Sequence, residues 1–474
     1  MTATRPIPSI PSWSEPSHFT LENGLPVVFT PLPHLSLTSI VLFVRVGSRF
    51  ETPADSGLSH LLEHVLFRGS ERYPDTYTLN TALEGVGSGL DAATSRDFTT
   101  FEATCLPSNV EEMLLILGDM LTRPLLSGVD VEQRIITEEL QDEIDAKGRD
   151  IDPDNLSKMT MFAGSSMALK VGGVLARIQR FTEDDCRRWH RHFYTATNMV
   201  LAISGPITLD QARQAATSAF GELPSGELLS PSPVIVRPNL PAFEFTKHTA
   251  SQTEIHLSWI LPPEDHPDFP SLAVIHRLLD DGTCARLRHR IVDQLGLAYH
   301  AAADLETYDG HTILTITTQT QTQTKRAKVA ELVEAMFEVV GDLMRSPVSD
   351  GELARAFGRL ALELGSVRDS PSATSYWNGL QKLYPAADGL AGRLTRAYSV
   401  TPEMLQSNAR KHLDADHCQL TVVGDLFPLE SAQLRRLLRG LGMSGVARDK
   451  GGRDAGATSA LADAHPARSA GLVH

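Results

Sequence analysis

The first half of the chain mixes hydrophobic patterns typical of strands with others typical of helices. The apolar run LTSIVLFVRVGS at 37–48 predicts a buried strand, and an Asn-Gly pair at 23–24 predicts a hairpin turn between two short strands. The segment GLSHLLEHVLFR at 57–68 repeats leucine and valine at helical spacing, and residues 108–122 begin with helix-capping residues. We therefore expect a sheet packed with helices.

The second half repeats this mixture. EIHLSWI at 254–260 and HTILTITTQT at 311–320 read as strands, and a long helix is expected near 325–345. Residues 181–205 and 400–424 align without a gap, each as a threonine-capped helix followed by a turn and a buried strand ending in glycine. Two such units favour a duplicated domain over a solenoid, with chance similarity of two short segments as the alternative. We predict an α+β fold in two related domains.

Proline marks the expected boundary between these domains, because residues 223–243 contain five prolines and should form an extended linker. The chain after 444 is rich in glycine, alanine and serine without apolar periodicity, which is typical of disorder. We predict an N-terminal extension at 1–17, a first domain at 18–222, the linker at 223–243, a second domain at 244–444 and a disordered tail at 445–474.

Composition narrows the class of protein. The chain has 474 residues, of which 42% are hydrophobic and 21% charged, so it can bury the cores of two or more domains. Its net charge of −15 argues against nucleic acid or an anionic membrane surface as the main partner. The first 18 residues lack the apolar core of a signal peptide and the arginines of a mitochondrial presequence. A cytoplasmic location is expected, with a mitochondrial one disfavoured.

Cysteine usage points away from a disulfide framework. The four cysteines form no CxxC pair, so a cysteine zinc site is not indicated either. We expect all four to be small buried hydrophobic residues: Cys105, Cys186, Cys284 and Cys418.

His60, Glu63 and His64 form an H-x-x-E-H motif inside the predicted helix at 57–68. Histidines four residues apart lie on one face of a helix, so both rings can reach one tetrahedral metal ion. Glu63 projects near the same face, where it can act as a general base. The alternative is a pair of surface histidines, but their leucine neighbours predict a buried helix, in which two imidazoles need partners. The motif is the inverted form of a zinc peptidase signature.

A catalytic zinc takes three protein ligands and a water, so a third ligand is expected. The acidic segment VDVEQRIITEELQDEIDAKGRD at 129–150 reads as a helix with Glu132, Glu138 and Glu139 as candidates. Glu132 and Glu139 are seven residues apart and project from nearly one face, which suits one ligand and one supporting carboxylate. A solvated helix face is the alternative for each of them.

Longer segments around this motif resemble the pitrilysin/insulinase family of inverted-motif zinc peptidases, in the half-length branch typified by the mitochondrial processing peptidase. The resemblance covers roughly residues 18–430. It rests on GSRFETPADSGLSHLLEHVLFRGS, ATSRDFTTFEATCLPSNVEEMLLILGDMLTRPLL, EQRIITEEL and HFYTATNMVLAISG. It implies two homologous domains, each a mostly antiparallel sheet packed with helices, that enclose a chamber.

Carried over by position, the resemblance implies one zinc ion per chain, with His60, His64 and Glu139 as ligands. Glu63 becomes the general base and Glu132 the supporting carboxylate. Substrate peptide is expected to pair with an edge strand near 91–97, where Asp91, Ala92 and Thr94 are candidate binding residues. The second half has no counterpart of the zinc motif, since its helix reads SLAVIHRLLDDG.

The second half departs from the family pattern at substrate contacts. Tyr299, in GLAY, matches a tyrosine that stabilises the scissile carbonyl, but Val292 stands where the family has arginine. Arg286, Arg288 and Arg290 would compensate only in a different helical register. Asp91 also stands where asparagine is usual. These departures suggest that a partner chain supplies part of the site.

The predicted function is a zinc endopeptidase that cuts unfolded peptides as one subunit of a dimer, either a heterodimer with a related chain or a homodimer. The alternatives are a non-catalytic structural subunit and a peptide-binding subunit of the same family. The complete set of His60, Glu63, His64 and Glu139 favours catalysis, since a structural role gives no reason to keep it.

Overall fold

A computed structural model of the chain describes residues 15–236, 242–249, 251–321, 328–384 and 389–443. Most of the expected N-terminal extension, part of the linker and the expected tail lie outside these residues. Within the linker, residues 224–236 form neither helix nor strand. The domain boundaries therefore remain sequence-based predictions.

Each half of the chain contributes one sheet. The strands of the first half are β1 (Ser17–Thr20), β2 (Pro26–Pro31), β3 (Thr38–Val44), β4 (Asp91–Thr94), β5 (Thr99–Cys105) and β6 (Met199–Gly205). Those of the second half are β7 (Ala242–Lys247), β8 (Gln252–Leu261), β9 (Ala301–Tyr308), β10 (His311–Gln321) and β11 (Cys418–Gly424). The sheet orders are β1-β2-β6-β3-β5-β4 and β7-β11-β8-β10-β9. Neighbouring strands are antiparallel except in the pairs β2–β6 and β7–β11.

Helices surround both sheets. The first half contains α1 (Leu58–Leu66), α2 (Thr76–Gly85), α3 (Val110–Thr122), α4 (Val129–Gln141), α5 (Pro153–Met161), α6 (Leu175–Ile178), α7 (Glu183–Phe193) and α8 (Leu209–Phe220). The second half contains α9 (Phe269–Asp280), α10 (Lys328–Arg345), α11 (Asp350–Arg368), α12 (Pro371–Leu383), α13 (Leu390–Tyr398), α14 (Pro402–His412) and α15 (Pro428–Met443). The acidic segment at 129–150 is helical only to Gln141, after which the chain turns back around Asp145.

The two halves share one topology, which confirms the α+β duplication. Without β1, the order β2-β6-β3-β5-β4 has the same chain connectivity as β7-β11-β8-β10-β9. The repeat found in the sequence matches element for element, since α7 and α14 are capped by Thr182 and Thr401 and lead into β6 and β11. Three cysteines are buried as expected, whereas Cys284 is exposed, which corrects that expectation.

The halves exchange helices across their interface. Helix α12 of the second half packs on β3, β6 and β2 of the first sheet, while α5 of the first half packs on β11 and β8 of the second sheet. At Gly379 in α12, a Cβ atom would lie 2.4 Å from the ring of Phe43, so only glycine allows this close approach. Each sheet therefore depends on the other half to cover one face.

Buried polar contacts join the halves near the first sheet's edge strand. Asp97, in the turn between β4 and β5, accepts hydrogen bonds from Arg49 Nη1 at 2.9 Å, from the backbone N–H of Asp309 at 2.8 Å and from the Tyr384 hydroxyl at 3.0 Å. Asp309 and Tyr384 belong to the second half. Because the turn follows β4 directly, the second half holds this edge strand in place.

Candidate metal centre and active site

Two features define the N-terminus of helix α1, a glycine N-cap and a buried carboxylate. Its N-cap, Gly57, has φ 93°, a left-handed conformation that favours glycine. The buried carboxylate of Glu51 accepts hydrogen bonds from the backbone N–H groups of Gly57 at 2.8 Å and Ser59 at 2.9 Å. These bonds satisfy backbone donors that have no partner within the first turn of the helix. Leucines and a valine on the opposite face of the helix are buried in the core of the first half.

The two histidines of α1 face each other. His60 Nε2 and His64 Nε2 are 3.2 Å apart, with the rings in an edge-on arrangement. Burial, and then the neighbouring His64, lower the pKa of His60 to about 3, so this ring is neutral at physiological pH. Burial also opposes the charged form of His64, but its hydrogen bond with Glu132 and nearby carboxylates raise its pKa overall.

Helix α4 brings two glutamates to His64 from opposite sides. Glu139 Oε2 lies 3.8 Å from His64 Nε2, on the side that faces His60. Glu132 Oε2 lies 3.0 Å from His64 Nδ1 and fixes the orientation of the ring. The guanidinium of Arg68 in turn binds the other oxygen of Glu132. The seven-residue spacing thus brings both carboxylates to His64.

This donor set fits a zinc ion. The three ligand atoms of His60, His64 and Glu139 lie within 4.8 Å of one another. Ligands at about 2.1 Å from a tetrahedral zinc are about 3.4 Å apart, close to the His60–His64 spacing. Two imidazoles and one carboxylate are also the ligand types of hydrolytic zinc sites. Across the part of the chain that the structure describes, this is the one cluster of three such residues.

Glu63 points to the edge strand β4. Its Oε2 accepts a hydrogen bond from the Thr94 hydroxyl at 2.6 Å, and the Thr94 backbone N–H also binds this carboxylate. Burial raises the pKa of Glu63, while the bonds from Thr94 partly oppose that shift. A carboxylate with a raised pKa is a stronger base, as general-base chemistry requires.

The expected substrate edge lies next to Glu63. Strand β4 is the end strand of the first sheet and pairs only with β5. Its side chains alternate, with Asp91 exposed and Ala92 half-buried. The side chain of Thr94 is engaged with Glu63, so its role lies in holding the base as much as in contacting a peptide.

The candidate residues of the second half are placed differently. Tyr299 lies in the bend before β9 and is 94% exposed. Residues Arg288–Gln294 form a π-helix, so the helical register does change next to Val292. Arg286 and Arg290 nevertheless pair with Glu352 and Glu338. Neither of these two replaces the expected arginine as a free cation, whereas Arg288 is exposed at the start of the π-helix.

Sequence reasoning missed three residues around the site: Glu51, Arg68 and Tyr194. The hydroxyl of Tyr194 is buried without a hydrogen-bond partner among the described residues, and burial and the charge of Glu63 raise its pKa. Glu51 lies six residues before the N-cap Gly57, where its negative charge stabilises the N-terminus of the helix. Tyr194 reaches the site from α7's C-terminus, and no local pattern indicates that contact.

Comparisons with known proteins agree with this geometry. Residues 29–170 match the family profile "Insulinase (Peptidase family M16)", and residues 180–360 match "Peptidase M16 inactive domain". An uncharacterised zinc protease of Streptomyces coelicolor is 26% identical over 88% of this chain and 91% of its own length. The mitochondrial-processing peptidase subunit beta of Saccharomyces cerevisiae is 30% identical over 45% of this chain and 46% of its own.

The fold is also found among solved structures. A protease from Helicobacter pylori superimposes with a TM-score of 0.79 at 18% sequence identity. The match covers 87% of this chain and 100% of that protease.

None of the helices in the described ranges has the length and apolar character needed to cross a bilayer.

Proposed function

The chain belongs to the insulinase family, peptidase family M16, and from this premise we propose that it is a zinc-dependent endopeptidase acting on unfolded peptides. The observation that carries the proposal is the convergence of His60, His64 and Glu139, with Glu63 beside them on the same helix. The names of the bacterial relatives as zinc proteases support the metal.

The role proposed for each residue of the site follows from its charge and its position. When bound, zinc polarises the scissile carbonyl and lowers the pKa of water in the site. Glu63 takes the proton from the attacking water and passes it to the leaving amine. Thr94 holds the Glu63 carboxylate toward β4, and Glu132 keeps His64 in the tautomer that presents Nε2.

The substrate lies extended along β4. Backbone pairing with an edge strand selects an unfolded segment with weak side-chain preference, and Asp91 and Ala92 line that edge. Tyr299 donates a hydrogen bond to the carbonyl oxygen as negative charge develops there. Its exposure is consistent with a group that is ordered only by substrate or a second chain.

A second subunit completes the enzyme. Because the two halves of one chain pack directly against each other through α5 and α12, the proposal places the chamber between two chains and not between the two halves as the sequence predicted. Because Val292 stands where the family has a substrate-contacting arginine, we place that arginine on a related partner chain. The name of the yeast relative, a peptidase subunit, supports such a partner. The alternative to this heterodimer is a homodimer of two identical chains. The cytoplasmic location predicted from the sequence remains part of the proposal.

The proposal is tested by incubating the purified, zinc-loaded chain with a mixed pool of unstructured peptides. We expect cleavage that a chelator abolishes, zinc restores and the Glu63→Gln chain lacks. If the isolated chain is inert, addition of a related subunit should restore cleavage. Cleavage that persists in the Glu63→Gln chain would contradict the proposal.

A further inference from the structure

Two threonines lie side by side next to the proposed base. Thr94 ends β4 and Thr99 begins β5, and the two residues are directly opposite each other in the antiparallel pair. Directly opposed side chains lie on the same face of a sheet. The two Oγ1 atoms are 3.2 Å apart, which is within hydrogen-bond distance. Thr94 is half-buried, whereas Thr99 is completely buried.

A chain of three hydrogen-bond contacts runs through these hydroxyls. Thr94 Oγ1 lies 2.6 Å from Glu63 Oε2 and 3.2 Å from Thr99 Oγ1. Thr99 Oγ1 in turn lies 2.9 Å from the carbonyl oxygen of Val46, in the segment that follows β3. The chain of contacts therefore connects the carboxylate of the proposed base to a backbone carbonyl on the other side of β5.

The backbone end of this chain is held firmly. Val46 is buried and precedes Gly47, where an added Cβ atom would clash with the carbonyl oxygens of Ser95 and Arg96. The backbone N–H of Arg49 donates to the carbonyl oxygen of Arg96 at 2.9 Å. The segment after β3 thus packs tightly on the turn between β4 and β5, which fixes the acceptor that Thr99 contacts.

The two hydroxyls have fewer protons than the chain has contacts. An ionised carboxylate and a carbonyl oxygen accept hydrogen bonds but cannot donate them. Thr94 therefore uses its one hydroxyl proton for Glu63, and Thr99 has to be the donor between the two threonines. The single hydroxyl proton of Thr99 is consequently shared between Thr94 Oγ1 and the carbonyl oxygen of Val46.

This arrangement strengthens the hydrogen bond that Glu63 accepts. A hydroxyl that accepts one hydrogen bond while it donates another is polarised, and its own donation becomes stronger. Thr94 is in that position, between Thr99 and a charged acceptor. Because Thr99 is completely buried, solvent cannot easily replace its hydroxyl as the donor to Thr94.

We propose that Thr99 is a positioning residue of the reaction, which acts through Thr94 to hold the carboxylate of Glu63 against β4. The proposal rests on the proposed function, in which Glu63 is the general base, and deepens it. A base has to lie within hydrogen-bond reach of the proton that it removes. Loss of the Thr99 hydroxyl therefore reduces the fraction of molecules in which Glu63 is correctly placed, without removing a zinc ligand.

The kinetic test compares two substitutions of Thr99 in the zinc-loaded enzyme, with its partner subunit present if cleavage requires one. Thr99→Val keeps the shape of the side chain but removes the hydroxyl. It should lower kcat about three- to tenfold, the value of one hydrogen bond, while KM and bound zinc are unchanged. Thr99→Ser keeps the hydroxyl and should retain kcat within about twofold.

Thr318→Val is the matched control, because β10 is the strand of the second half that corresponds to β5. Thr318 is buried, and its hydroxyl donates to the carbonyl oxygen of His300 at 2.8 Å. Its substitution should lower stability as Thr99→Val does, but should leave kcat unchanged. An unchanged kcat in Thr99→Val, or an equal loss of kcat in Thr99→Ser or Thr318→Val, would overturn the proposal.

A second measurement does not depend on turnover. Denaturant unfolding at one fixed concentration of free zinc gives the midpoint shift that Thr99→Val causes in the unsubstituted chain and in the Glu63→Gln chain. The shift should be smaller in the Glu63→Gln chain, because a neutral amide is a weaker acceptor than a carboxylate. Thr318→Val should cause the same shift in both chains.

A Thr99→Val shift that is equal or larger in the Glu63→Gln chain would show that Thr99 does not act on Glu63, and would overturn the proposal. Failure of the proposed function is a different result. If the unsubstituted enzyme cleaves no peptide, the peptidase assignment fails, and the unfolding midpoints still decide whether Thr99 acts on Glu63.

Discussion

The two halves of this protein share one topology but differ in the side chains that equivalent helices present. Both place a helix after the second shared strand, α1 in the first half and α9 in the second, and both bury its apolar face. In the first half the outward face carries His60, Glu63 and His64, whereas in the second it carries Ala273, His276 and Arg277. Three side chains on one helix therefore distinguish the half that has the candidate metal ligands from the half that lacks them.

The difference also extends to the edge strands. In the first half, Glu63 is tied to β4 through Thr94, and β4 is the end strand of its sheet among the described strands. In the second half, Asp280 and His276 bind the backbone N–H and carbonyl groups of Ala303 in β9. Within the described residues, the first half alone therefore combines candidate metal ligands with an edge strand that contacts the candidate base.

The largest effect that this comparison predicts is from Glu63→Gln. Turnover of a peptide should fall by roughly 10²–10⁴-fold while bound zinc is unchanged, because the base is removed and the ligands remain. Glu331→Gln, an exposed change of the same type in the second half, is the matched control and should retain full activity. Steady-state kinetics with parallel metal analysis measures both quantities. Zinc loss in the Glu63 variant would assign this residue to metal binding instead.

A second effect concerns the joint between the halves. Asp97→Asn should lower the free energy of unfolding by about 3 kcal/mol, since it leaves the buried guanidinium of Arg49 without its counter-charge. Tyr384→Phe removes one hydrogen bond to the same carboxylate and should cost about 1 kcal/mol. Denaturant unfolding of both variants tests this order. Equal, small losses would mean that the halves are coupled elsewhere.

Zinc affinity should depend on pH with a slope set by one histidine. His60 has a pKa of about 3 and is already neutral, whereas the raised pKa of His64 means that this ring must lose a proton before it binds metal. Below the pKa of His64, the affinity should therefore fall about tenfold for each pH unit. Competition with a zinc indicator between pH 5 and 8, about the range in which histidine titrates, gives the slope. A slope of two would show that both rings are protonated together.

A last pair of substitutions tests the packing of α12 on the first sheet. Gly379→Ala should destabilise the protein by about 1–3 kcal/mol, because the added Cβ would lie 2.4 Å from the Phe43 ring. Gly358→Ala, in a helix where the added Cβ meets nothing within 4 Å, should stabilise by about 0.5–1 kcal/mol. Thermal unfolding of the two variants distinguishes the steric cost at Gly379 from the gain in helix propensity at Gly358. Stabilisation by both changes would mean that α12 is not held against the first sheet.

Much of the fold was predictable because it rests on local periodicity. Helix α1, strand β3 and the repeat ending at Gly205 and Gly424 follow directly from the spacing of apolar residues and caps. Glu132 and Glu139 were predictable as a pair for the same reason, since a spacing of seven places them on one helix face. Local spacing thus accounts for the candidate zinc ligands as well as for the elements that carry them.

Other features depend on contacts that no local pattern records. Tyr194 and Glu63 are 131 residues apart in the sequence, and Asp97 meets Tyr384 only because the halves are packed together. The π-helix at Arg288–Gln294 changes the register without a change in hydrophobic spacing. The end of α4 at Gln141 was also missed, because charged residues continue the helical pattern beyond the point where the chain turns.

The most direct test of the account is the location of zinc in crystals of the full chain by anomalous diffraction. We predict one peak per chain, between His60, His64 and Glu139, that is weakened by Glu139→Gln and retained in Glu63→Gln. The second half should show no peak beside Ala273 and Arg277. Absence of zinc from the first-half site, or a peak in the second half, would contradict the account.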